Sequence, residues 1–147
     1  MKKRDLVITC TLVFIAAALV IGIIVLSILP QPGSRFTEFY LLGDQGRAAS
    51  YPSSIAAGQP VSVTIGIINH EGKSAIYEIR IVAEGAIIKA VQAGTLKDGQ
   101  KWENKTDFTM DKPGARQKVE FYLYMNGEPA PHIKDPLTLL IDVINPK

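Results

Sequence analysis

The hydrophobic positions of this 147-residue chain obey two different rules on either side of a proline-rich break. Residues 6–29 are apolar almost without interruption and carry no charge. Wound as a helix rising about 1.5 Å per residue, they reach roughly 36 Å, enough to cross a hydrocarbon core of about 30 Å with some tilt. The break, Pro30-Gln31-Pro32-Gly33-Ser34, stops a helix, because two prolines withhold backbone donors and bias the chain toward extended geometry. Beyond it the pattern alternates. In Val61-Ser62-Val63-Thr64-Ile65-Gly66-Ile67 the odd positions are branched aliphatics and the even ones small or polar, the period of a strand with one buried face.

Tyr77-Glu78-Ile79-Arg80-Ile81 repeats that period, as do residues 119–125, with Val119, Phe121, Leu123 and Met125 inward, and residues 137–143. Residues 36–42, 87–92 and 102–110 are less regular strand candidates; in the last, Trp102, Thr106, Phe108 and Met110 share a face, which puts Trp102 in or beside the core. Turn residues separate these runs: Gly43-Asp44-Gln45-Gly46, Gly58-Gln59-Pro60, Asn69-His70-Glu71-Gly72, Asp98-Gly99, Pro113-Gly114 and Asn126-Gly127. About seven short strands and no amphipathic helix after residue 29 predict an all-β, immunoglobulin-like β-sandwich preceded by one N-terminal transmembrane helix. The division is a basic tip at 1–5, an anchor at 6–29, a linker at 30–35 and a β domain at 36–147.

Charge sets the expected topology. Lys2, Lys3 and Arg4 flank the apolar run, whereas Arg35 alone lies near its far end. The positive-inside rule then places the N-terminus in the cytoplasm and the C-terminal domain outside, anchored in the plasma membrane by residues 6–29. A cleaved signal peptide has a shorter apolar core of about 7–15 residues and a small-x-small end, and Ser27-Ile28-Leu29-Pro30 fits that poorly. Setting aside Lys2, Lys3, Arg4 and Asp5 leaves 13 basic and 13 acidic residues. A neutral domain without a Lys/Arg cluster is not built for nucleic acid. Cys10, the only cysteine, lies inside the apolar run, so the domain cannot lean on disulfides.

Two segments carry a resemblance. One is Phe39-Tyr40-Leu41-Leu42-Gly43-Asp44-Gln45-Gly46-Arg47-Ala48 with Tyr51-Pro52 after it; the other is Val63-Thr64-Ile65-Gly66-Ile67-Ile68-Asn69-His70-Glu71-Gly72 followed by Tyr77. In order and spacing they resemble a prokaryotic membrane family with no established activity, domain of unknown function 1616, over roughly residues 36–81. The resemblance implies membrane attachment and an exported β domain, and it supplies no reaction. This chain departs from the family pattern in having one apolar run rather than several.

Candidate chemistry is sparse. His70 and Glu71 fall in the expected turn between two strands, where Asn69 and Gly72 would shape the backbone and His70-Glu71 would make only local hydrogen bonds. A zinc site needs three or four convergent ligands, so it would require His70, His132 and carboxylates such as Glu71 or Asp135 to meet. No nucleophile elbow, phosphate-cradling glycine loop, calcium loop or cysteine pair occurs, so the expectation is no catalytic residue, no metal and no cofactor. Gly43, Asp44 and Gly46 mark a second motif turn of unknown role. Tyr122 and Tyr124 alternate with inward residues and offer a rigid outer contact surface, or an ordinary cross-strand pair. The expected function is a single-pass, extracytoplasmic binding or scaffolding module, not an enzyme, for a protein or envelope-polymer partner. The alternatives are an accessory subunit of a larger membrane complex and, third, an envelope enzyme or metal-binding domain.

Overall fold

The computed structural model of the chain describes residues 3–28, 33–43, 46–49 and 51–145. The chain divides into two compact units, Met1–Ser34 and Arg35–Lys147. The first holds one helix, α1 (Lys3–Ile28). Its described side chains, at residues 8 and 10–25, are all exposed. Their unbroken part amounts to about 24 Å of helix, short of a hydrocarbon core of about 30 Å. Among the described residues no helix is long and apolar enough to cross a membrane, so the expected span at 6–29 lacks support from the described part of α1. Leu29 and linker residues 30–32 lie outside the described residues, and Gly33, Ser34 and Arg35 have no regular structure.

The second unit contains eight strands among its described residues: β1 (Phe36–Leu42), β2 (Ser54–Ala56), β3 (Pro60–His70), β4 (Ala75–Ala83), β5 (Ala86–Leu96), β6 (Lys101–Thr109), β7 (Gly114–Met125) and β8 (Leu137–Ile144). One sheet has the order β1-β3-β6 and the other β2-β8-β7-β4-β5. All pairings are antiparallel except β2 with β8, which run parallel. The inward residues of the two sheets meet in one core. Val61, Val63, Ile65 and Ile67 of β3 face Tyr77, Ile79 and Ile81 of β4 and Val119, Phe121 and Leu123 of β7, all essentially without exposed surface. Phe108 of β6 meets Phe121 of β7 edge to face at 5.9 Å, joining the sheets through aromatic packing. Each such aliphatic or aromatic side chain contributes about 1.5–3 kcal/mol by leaving water. That is how a domain without disulfides holds together. Trp102 packs half-buried against this core, at its edge.

Two departures from the expected strand pattern have clear causes. Ser54–Ala56 is an eighth strand too short to show a period, yet Ile55 is driven into the core beside β8. The strand expected at 87–92 extends over all of β5, an edge strand whose first five residues are exposed on both faces while Val91, Ala93 and Leu96 turn onto the core.

Candidate functional site

Asn69 and His70 are the last two residues of β3 rather than turn residues. The Asn69 side chain is fully buried, and its amide donates to the backbone carbonyls of Lys73 and Leu96, each at 2.8 Å. Its Oδ1 accepts the Glu71 backbone N–H at 2.9 Å. One side chain thus sews the β3–β4 turn to the end of β5. Gly72 follows with φ +71, a left-handed conformation that a β-branched residue adopts only under strain, and its N–H donates to Asp98 at 2.8 Å.

That backbone turns Glu71 inward, which corrects the expectation that His70-Glu71 merely decorate a turn. Glu71 is buried, and its Oε1 accepts the Thr37 hydroxyl at 2.8 Å and meets Nε2 of His132 at 3.0 Å. Thr37 Oγ1 also lies 2.9 Å from the Tyr77 hydroxyl and 3.2 Å from His132 Nε2. The proton directions follow from the chemistry of the groups. A carboxylate only accepts, so Thr37 spends its one proton on Glu71 and His132 carries its proton on Nε2. Tyr77 must then be the donor to Thr37. All four groups are satisfied, and among the described residues no buried side-chain polar atom lacks a partner. Burial raises the Tyr77 phenol above its ordinary value, and the nearby Glu71 charge adds to it.

The knot joins β1, the β3–β4 turn, β4 and the long connection from β7 to β8. His132 lies on that connection, which its own N–H fastens to the Leu123 carbonyl at 2.7 Å. His70 does not join. It pairs with Glu38 at 2.9 Å and stacks on Phe36 with ring centroids 4.7 Å apart. Among the described residues no three His, Cys, Asp or Glu side chains are grouped to hold a metal ion.

The other singled-out residues sit elsewhere. Gly43 donates to the Arg47 carbonyl and accepts from Gly46 N–H, closing a small turn after β1; Asp44 lies outside the described residues. Tyr40 and Gly66 face each other across β1 and β3. A Cβ at Gly66 would come 2.1 Å from the Tyr40 ring, so the glycine leaves room for the ring to lie over β3 and reach Glu103 at 2.7 Å. Contact between Tyr40 and Gly66 is thus a physical reason for the two sequence segments to occur together. Tyr122 and Tyr124 share the outer face of the five-stranded sheet, half-buried, with the Arg80 guanidinium 4.0 Å over the Tyr124 ring. Arg80 also bonds Glu78, which accepts from Gln92 at 2.7 Å. These hydrogen bonds hold the Glu78 carboxyl below its ordinary value.

A cleft opens between β1 and β8. It encloses about 300 Å³ and is lined by Phe39, Leu41, Tyr51, Leu137, Thr138 and Leu139. Tyr51 closes one end by donating its hydroxyl to the Leu41 carbonyl at 2.8 Å. The sequence offered no signal for this cleft beyond the aromatic character of Phe39 and Tyr51.

Among solved structures, the fold is similar to the CARDB domain of the PF1109 protein from Pyrococcus furiosus, crystallised in complex with di-metal ions. The TM-score is 0.53 at 11% identity, over 76% of this chain and 96% of that one. The solution structure of the same Pyrococcus furiosus domain gives a TM-score of 0.51 at 12% identity, over 75% and 97%. At such identities the likeness shows a shared immunoglobulin-like β fold and nothing finer. No curated protein matches the chain. The family described as a domain of unknown function (DUF1616) matches residues 30–140, which takes in most of the sandwich, both motif segments, the Glu71–His132 knot and the cleft. The chain belongs to the DUF1616 family.

Proposed function

We propose that the chain is a membrane-anchored binding or scaffolding module, displaying its sandwich outside the cytoplasmic membrane on a single apolar helix. The observation that carries the reading is the surface of α1. Leu12, Val13 and Phe14 are successive, so they point about 100° apart around it, and each is more than 60% exposed. A helix that is apolar all round needs lipid or other helices as its surroundings. With residues 6–9 and 26–29 of the sequence added, the uncharged run reaches the length of a bilayer core. Lys2, Lys3 and Arg4 orient it with the N-terminus inside. The CARDB-like fold is consistent with a binding or scaffolding role, and the sandwich offers several surfaces for it.

A membrane-impermeant amine cross-linker added to intact cells tests the proposal. A discrete higher-mass adduct of the full chain is expected, since Lys73, Lys97 and Lys134 are exposed on the sandwich. A chain that reacts only after the cells are lysed contradicts it. Size after gentle detergent extraction then separates a free module from a subunit: a stable complex of fixed composition favours the accessory-subunit alternative.

A further inference from the structure

The edge of β8 is covered over only part of its length. β2 pairs with Asp142, Val143 and Ile144. Asp142 N–H donates to the Ser53 carbonyl and the Ile144 carbonyl accepts from Ala57, each at 2.9 Å. Peptide groups alternate sides along a strand, so Thr138 and Leu140, in phase with Asp142 and Ile144, turn their N–H and C=O to the same side. No strand among the described residues pairs with them there. Across the cleft, the Leu41 carbonyl reaches Tyr51 at the open side of β1. Phe39, two residues earlier, turns its peptide group the same way. Between these two edges lies the 300 Å³ cleft, whose floor is Leu41 and Leu139 and whose rim is Phe39 and Leu137.

We infer that this cleft takes an extended peptide segment of a partner protein, added alongside β8 in line with β2 and inserting a branched aliphatic side chain between Phe39 and Leu137. The chain carries its own example of the ligand. Ser54-Ile55-Ala56 already occupies the continuation of that edge with Ile55 in the core. The next stretch presents the same combination of outward peptide groups and apolar depth. An acyl chain would leave the β8 donors and acceptors unpaired, whereas an added strand satisfies them, as strand addition to an exposed sheet edge does generally. The inference names the partner class of the binding module proposed above and rests on that reading.

The test uses the full chain in lipid nanodiscs and a labelled synthetic peptide copying residues 52–58, Pro-Ser-Ser-Ile-Ala-Ala-Gly. Saturable binding is expected, weaker by about tenfold or more when aspartate replaces the peptide isoleucine. Leu137→Glu at the rim should abolish binding. Thr138→Pro should do the same by removing an outward N–H while the ladder to β7, carried by Leu137, Leu139 and Ile141, is kept. Folding of each variant is read from its thermal melt, and the comparison of the two peptides on the unaltered chain decides even where a variant fails to fold. Equal binding of both peptides, no saturable binding up to millimolar peptide, or binding indifferent to both substitutions overturns the inference. So does a dimer of the chain that the same substitutions dissociate, which would make the occupant a second copy. No peptide binding to the unaltered chain, with an intact cross-linked adduct on cells, removes the cleft as the site and leaves the module standing.

Discussion

Helix α1 and the sandwich dispose of apolar surface in opposite ways. In the sandwich, Val63, Ile65, Ile79, Phe121 and Ile141 are fully enclosed and the exposed positions are mostly polar. Along α1 the described side chains, Thr11 apart, are apolar and exposed on every side, with Phe14 at 76%. The sandwich encloses its own apolar core; the described side chains of α1 are exposed. The hydrophobic effect is proportional to area removed from water, so the helix must find that burial elsewhere, and under the proposed function it finds lipid.

Cutting the two units apart should have the largest effect. A chain beginning at Arg35 is expected to be a soluble, cooperatively unfolding β-rich monomer, while the full chain stays with membranes through alkaline carbonate washing. Fractionation and far-UV circular dichroism check this. A full chain released by carbonate, or a helical spectrum from the shorter one, would break the contrast.

A second contrast lies within the sandwich, between the buried Glu71 knot and the half-buried Glu78–Arg80–Tyr124 cluster on its outer face. Both are hydrogen-bonded networks with similar distances, but only the first is shielded from water. Glu71→Ala leaves the Thr37 hydroxyl and His132 without their acceptor and should cost about 2–3 kcal/mol in chemical denaturation. This replaces the change of under about 1 kcal/mol that a turn residue exposed to water would give. Gly72→Val comes next, at about 1–2 kcal/mol, from forcing a β-branched residue into φ near +71. Arg80→Ala should have the smallest effect on the thermal midpoint, because water screens the pair. The sign of its pH dependence is fixed. Glu78 titrates below the ordinary 4.5 in the folded state. Its contribution is present above that value and is lost as pH falls through the lower folded one. Arg80→Ala should flatten that acid limb, and added salt should do the same.

How much the sequence revealed depended on how local the cause was. Val61-Ser62-Val63-Thr64-Ile65 announced β3 because one face is buried and the other is not. β5 was legible only in part, since its first five residues are exposed on both faces and show no alternation. β2 owes its existence to a pairing with β8 that lies far along the chain. The Asn69–Gly72 segment could be recognised as important, but the fate of Glu71 could not, because Thr37 and His132 lie 34 and 61 residues away. One signal was present: Thr37 is a polar residue in phase with the inward Phe39 and Leu41, and such a position needs a buried partner.

The claim that the two units serve one membrane-mounted module is tested most directly by protease added to intact cells with any outer wall removed. The account predicts digestion of the Arg35–Lys147 unit from outside and survival of a small N-terminal fragment containing α1 in the membrane. It also predicts that neutral residues in place of Lys2, Lys3 and Arg4 weaken that orientation. A sandwich protected in intact cells and digested only after lysis would contradict it.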